Sequence, residues 1–196
     1  MTTFQNNFLL PNENILIVGY DYQKDEVDSS TQYLVDSRDN QGVFAEYQTQ
    51  WGGADLIVGI RNDDNEQFGD HTTGNIALAY ALTPNTRLML SYGTAFKAPT
   101  FNELYFPNFG TPKLDPEESE SIEIGLMATH PDYQWSLNAY HTKIDKLIAT
   151  NFDAATGDFF ADNINKAKIS GIDGALSWQK AGWEFKLKGS WLKPED

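Results

Sequence analysis

The sequence contains no cysteine, so neither a disulfide framework nor a thiolate metal site is open to it. It also lacks any run of eighteen apolar residues, which excludes a transmembrane helix. Basic residues are scarce. Fourteen Lys and Arg stand against 28 Asp and Glu, a formal net charge of −14. Such a chain has no electrostatic hold on nucleic-acid phosphates or on an anionic cytoplasmic leaflet, so nucleic acid is excluded as a partner. The three histidines, His71, His130 and His141, are far apart. None belongs to an HExxH motif, a nucleophile elbow or a phosphate-cradling glycine loop, and no enzymatic activity is expected. The opening residues, MTTFQNNFLLPNEN, lack the basic segment and apolar core of a signal peptide.

What is present is aromatic and two-faced. Phe, Tyr and Trp make up 13% of the chain although all hydrophobic residues total only 40%. Rings in such excess suit surfaces that are apolar on one side and wet on the other. In GNIALAYALT, Ile76, Leu78 and Tyr80 alternate with Asn75, Ala77 and Ala79. In TRLMLSYGT, Leu88, Leu90 and Tyr92 alternate with Met89 and Ser91, and SIEIGLMA places Ile122, Ile124 and Leu126 on one side. Period two of this kind predicts strands over 4–10, 14–23, 41–50, 54–62, 72–82, 85–95, 120–130, 133–144, 167–179 and 182–193.

The joints alternate in length. Tight turns at WGG (51–53), TP (83–84), HPD (130–132) and KAG (180–182) are separated by long segments near 24–40, 63–71, 96–119 and 145–166. The pattern predicts an all-β fold, an antiparallel up-and-down meander of about ten strands, with short turns at one end and long loops at the other. Transmembrane β-barrels are built in this way. A soluble β-sandwich also shows period two, and as an adhesin or carbohydrate-binding module it would stack sugars on its aromatic loop.

Several motifs in order carry a family resemblance. They are RNDDNEQFGDHTTGNIALAY, LSYGTAFKAPTFNELY, GTPKLDPEESESIEIGL, LNAYHTKIDKLI and DNINKAKISGIDGAL. Together they resemble the C-terminal half of the barrel of TonB-dependent outer-membrane receptors. The matches fall at Ser91 to Pro99, Leu104 to Gly125 and Asn163 to Gly171, and Asp173 stands where the family commonly has Glu. RNDDNEQFG tilts the resemblance toward the family's cobalamin (vitamin B12) receptors, with ferric siderophore and haem receptors as alternatives. The resemblance implies a transporter in the bacterial outer membrane that contacts lipid and binds a small molecule through its extracellular loops. It further implies that residues 1–196 are one partial domain of a barrel of about 22 strands. TonB would then be met through an N-terminal region not in this sequence. A piece of this kind has open sheet edges through which it could self-associate, and it is expected to hide its apolar face by folding over or dimerising.

Two groups of residues are candidates for binding. Phe101, Tyr105, Phe106 and Phe109, in the segment 96–119, offer ring surface to a ligand at low entropic cost. Their alternative role is to pack on neighbouring loops. Asp63, Asp64, Glu66 and Asp70 in DDNEQFGD offer carboxylate oxygens to calcium, which the resemblance allows in an intact receptor, although their glycine is out of register for an EF-hand. No other cofactor is implied. Tyr47, Trp51, Tyr80, Tyr92, Tyr133, Trp135, Trp178, Trp183 and Trp191, near strand ends, suit the aromatic girdles of a barrel. The segment 91–121 is expected to be the least ordered part of the chain, or the most altered, when it folds without the rest of the barrel.

Overall fold

The computed structural model describes residues 1–195 and shows one antiparallel sheet; Asp196, the last residue of the expected domain, lies outside the described residues. The strands are β1 (Thr2–Leu9), β2 (Ile15–Glu26), β3 (Ser37–Trp51), β4 (Ala54–Asn65), β5 (Gly69–Thr83), β6 (Thr86–Lys97), β7 (Glu117–Thr129), β8 (Tyr133–Asp153), β9 (Asp158–Lys180) and β10 (Trp183–Glu195). Each pairs with its sequence neighbours in strict order, and among the described residues no ladder joins β1 to β10. A sandwich needs two packed sheets, and only one is present, so the soluble alternative fails at this level.

Register separates the two faces. Leu78, Leu90, Ile124, Ala139, Ile172 and Trp191 stand side by side across β5 to β10. The adjacent row, on the opposite face, is Ala77, Ser91, Glu123, Tyr140, Gly171 and Leu192. The first face is apolar and open: Ile60 is 60% exposed and Ile122 59%. The sheet does not fold over to cover it, the first of the two expected ways of hiding this face. An apolar band of this continuity, left bare on a single layer, is suited to solvation by lipid rather than by protein. Exposed Trp51, Tyr80, Tyr133, Trp178 and Trp183 lie toward the short turns, with Tyr20 and Tyr92 toward the other end.

The opposite face is polar and partly locked. Arg61 donates to Asp21 at 2.6 Å and to both oxygens of Asp63, at 2.7 and 2.8 Å. Its guanidinium lies over Gly42, where any Cβ would collide with it, and 5.8 Å from the Phe44 ring centroid. Asn40 adds a bond to Asp63 at 2.8 Å. This network satisfies charged groups that are otherwise costly to bury, since Asp21 and Asp63 are nearly inaccessible even in an open sheet.

The short turns are tightly specified. Gly52 and Gly53, at φ 54° and 84°, make the two-residue turn with both residues left-handed that matches strand twist. The β9–β10 turn repeats this geometry with Ala181 at φ 52° and Gly182 at φ 82°. The long segments are shorter than expected. The ladder between β4 and β5 runs up to Asn65 and Gly69, and the ladder between β8 and β9 runs up to Asp153 and Asp158. Much of 63–71 and 145–166 is therefore strand beyond the apolar band. The β5–β6 ladder ends at Asn75 and Gly93, where Gly74 N donates instead to the Thr94 hydroxyl at 3.0 Å.

Ala181 is the one non-glycine residue of these two turns that is held left-handed, at a cost of about 1–2 kcal/mol for an L-residue. Ala181→Asn, which restores the favoured Asn-Gly pair, is expected to stabilise the hairpin by about 1 kcal/mol. Urea unfolding in detergent, with the midpoint raised and the slope unchanged, is the check; an unmoved midpoint contradicts it.

Candidate functional site

The buried hydrophobic cluster lies at the long-loop end, away from the bare apolar band. Between β6 and β7 the chain forms a short helix, α1 (Phe101–Tyr105), opened by a capping box. Thr100 accepts from Glu103 N at 3.2 Å, and Glu103 accepts from Thr100 N at 2.7 Å. That turn drives Leu104 to complete burial, where it meets Leu114 and Ala161, with Phe68, Tyr105, Phe109 and Ile148 packed around them. Gly110 passes so close to the backbone of Leu104 and Tyr105 that no Cβ fits there.

This segment binds three neighbouring hairpins together. Toward β2–β3, Arg38 donates to the Pro99 carbonyl at 2.9 Å and sits 5.6 and 5.2 Å from the rings of Phe68 and Phe101. Tyr33 donates to Asn102 at 2.5 Å. Toward β4–β5, Gln67 donates to the Tyr105 hydroxyl at 2.5 Å. Toward β8–β9, Ala161 N donates to the Phe109 carbonyl at 3.0 Å, and Asn163 exchanges bonds with the Asp115 backbone at 2.9 and 3.1 Å. Against the expectation of least order, side chains from all three hairpins converge on 98–116, and among the described residues Leu104 and Pro99 are the largest fully buried side chains.

The four ring residues divide. Phe101 is spent on Arg38, while Tyr105 and Phe109 pack on the Leu104 cluster; Phe106 is 43% exposed. The four carboxylates fall in three places. Asp63 turns to the polar face and Arg61, and Glu66 in the turn accepts from Asp39 N at 2.9 Å. Asp64 and Asp70 stand directly opposite each other on the other face. Among the described residues, no three of His, Asp and Glu are gathered as a metal site.

The packing roles of Arg38, Arg61 and Leu104 have no counterpart in the sequence reading. Thr100 and Glu103 did leave a signal, since TFNE has the Thr-x-x-Glu spacing of a capping box.

One antiparallel meander with an apolar face, a polar face and elaborated hairpins at a single end is the wall of a transmembrane β-barrel of the outer-membrane type. Residues 2–195 match the family described as TonB dependent receptor-like, beta-barrel, and the chain belongs to that family. It is 37% identical over 177 residues to the vitamin B12 transporter BtuB of Photobacterium profundum, covering 88% of this chain and 29% of that protein. The vitamin B12 transporter BtuB of Vibrio vulnificus is 32% identical over 185 residues, with coverage of 92% and 30%. The chain spans about three tenths of the length of these curated relatives. Among solved structures, the siderophore receptor PirA from Pseudomonas aeruginosa superposes with a TM-score of 0.84 at 18% identity, covering 98% of this chain and 42% of that one. A mutant of the ferric enterobactin receptor from the same organism gives 0.81 at 20% identity, covering 97% and 34%. At those identities the structures speak for the fold.

Leu104→Ala opens a cavity in the cluster and is expected to cost about 2–5 kcal/mol of local stability. Limited proteolysis should then cut between residues 98 and 116 while the strands stay protected. Cleavage equal to that of the parent would show that the cluster does not hold the segment.

Proposed function

We propose that the chain forms part of the wall and the ligand-facing rim of an outer-membrane receptor for TonB-dependent uptake of cobalamin. The observation that carries the reading is the 37% identity, over 88% of the chain, with a protein named as a vitamin B12 transporter. In this reading residues 1–196 are one partial barrel domain, and further strands of the whole receptor close the sheet at β1 and β10. Binding involves no covalent chemistry, and TonB is met through another region of the receptor.

The rim supplies the contact surface. Phe106 is the ring placed to meet a ligand, while Phe101, Tyr105 and Phe109 hold the segment that presents it. Asp64 and Asp70 are the pair placed to share a calcium ion in the intact receptor, because like charges directly opposite in a ladder are destabilising until a cation neutralises them. A ferric siderophore is the second reading, because the strand and loop motifs that carry the family resemblance are shared by receptors for siderophores and haem.

The test is equilibrium binding of cyanocobalamin to the full receptor, with and without a calcium chelator. Binding is expected for the parent, and Phe106→Ala should weaken it about tenfold, the effect of losing roughly 1–2 kcal/mol of contact. Retention of a ferric siderophore or haem with no cobalamin bound would overturn the substrate assignment.

A further inference from the structure

The hairpin of β8 and β9 continues past the Leu104 cluster and carries rings that the cluster does not cover. Ile148 and Ala161 pack on the cluster, and Thr150 stands opposite Ala161, so one face of the hairpin is turned toward the segment 98–116. The next pair outward on that face is Phe152 with Phe159. Their rings lie 5.1 Å apart, tilted by 49°, and stay 52% and 59% exposed. Contact between the two rings steadies the hairpin but leaves half of each ring open.

Their place in the rim is specific. Ala161 N donates to the Phe109 carbonyl at 3.0 Å, and Phe109 N donates to the Phe106 carbonyl at 3.1 Å. The ring pair is therefore one same-face step from the residue that anchors the turn bearing Phe106. Three exposed rings from two connections stand around one bonded junction, which offers contact area with little ordering left to lose on binding. The charge near them has one sign. Residues 149–162 contain Asp153, Asp158 and Asp162 and no Lys or Arg, and Asp153 stands directly opposite Asp158 beside the rings. The long segments 24–40, 63–71, 96–119 and 145–166 together hold 17 Asp and Glu against six Lys and Arg, so the excess persists after every basic residue there is counted.

We propose that Phe152 and Phe159 are a second contact for the ligand taken at the rim, acting with Phe106, and that this contact selects a bulky ligand with apolar ring edges and no net negative charge. A triply anionic ferric tris-catecholate brings like charge against Asp153 and Asp158, whereas neutral cyanocobalamin does not. The inference rests on the cobalamin reading and adds to it the residues and the charge that separate it from the siderophore reading.

Photocrosslinking in the full receptor tests the contact. Benzoylphenylalanine replaces Asn151, Phe152, Phe159 or Phe160 singly, cyanocobalamin is added, and adducts are measured by mass spectrometry. Positions 152 and 159 should give about fivefold more adduct than 151 and 160, which belong to the other face. In equilibrium binding, F152A/F159A should weaken cyanocobalamin about tenfold, and F160A should leave it within about twofold. The parent should bind a ferric tris-catecholate about a hundredfold more weakly than cyanocobalamin. Equal adduct from both faces, or unchanged affinity in F152A/F159A, overturns the proposal and leaves the cobalamin reading standing. A parent that binds both ligands equally overturns the charge selection, and one that binds the catecholate alone overturns the cobalamin reading as well.

Discussion

The constraint on which the rest depends is that backbone N–H and C=O groups surrounded by hydrocarbon must find their partners in the chain itself. The ten strands meet it by pairing in sequence order with almost unbroken registers. Once the ladders are continuous, the period of two is obligatory, and each residue is committed to one face or the other. Leu90 and Ser91 are neighbours in sequence, yet one stands in an apolar row and the other in a polar row that includes Glu123. Burial of side chains against one another contributes little along this part of the sheet, which is why its apolar residues remain exposed.

Where the strands leave the apolar band the balance reverses. Both faces are then wet, backbone pairing alone no longer fixes the hairpins, and packing takes over. Leu104, Leu114 and Ala161 supply an apolar centre, and Arg38 ties the segment to β3 through one hydrogen bond and two rings. Arg38 suits this role because a guanidinium can stack on Phe68 and Phe101 and still donate to the Pro99 carbonyl, which an ammonium cannot do as well. Arg61 plays the corresponding part on the polar face, where three bonds to Asp21 and Asp63 fix the wall.

The legibility of the sequence follows the same division. Within the apolar band the alternation of Ile76, Leu78 and Tyr80 with Asn75, Ala77 and Ala79 is the direct imprint of two solvents, and all ten strands were readable from it. Beyond the band the imprint disappears. Asp63 and Asp64 look like loop residues because they are polar on both sides of the pleat, yet both are paired, with His71 and Asp70. The segment 91–121 reads as poorly ordered because its rings have no partner that the local sequence reveals. Its order comes from Arg38, Ala161 and Asn163, more than 40 residues away, and contacts at that distance leave no local pattern. The separation of Phe106 from Phe101, Tyr105 and Phe109 was equally hidden, because it depends on which neighbours each ring finds.

The central claim is that one face of this sheet lies in lipid and the other does not. It is tested most directly by spin labels placed singly at each position from Leu88 to Thr94 of the full receptor in a bilayer, with accessibility to oxygen and to a water-soluble nickel chelate measured at each. Labels at Leu88, Leu90 and Tyr92 should favour oxygen and labels at Met89, Ser91 and Gly93 should not, giving a period of two along β6. Uniform accessibility, or a period near 3.6, would contradict the account.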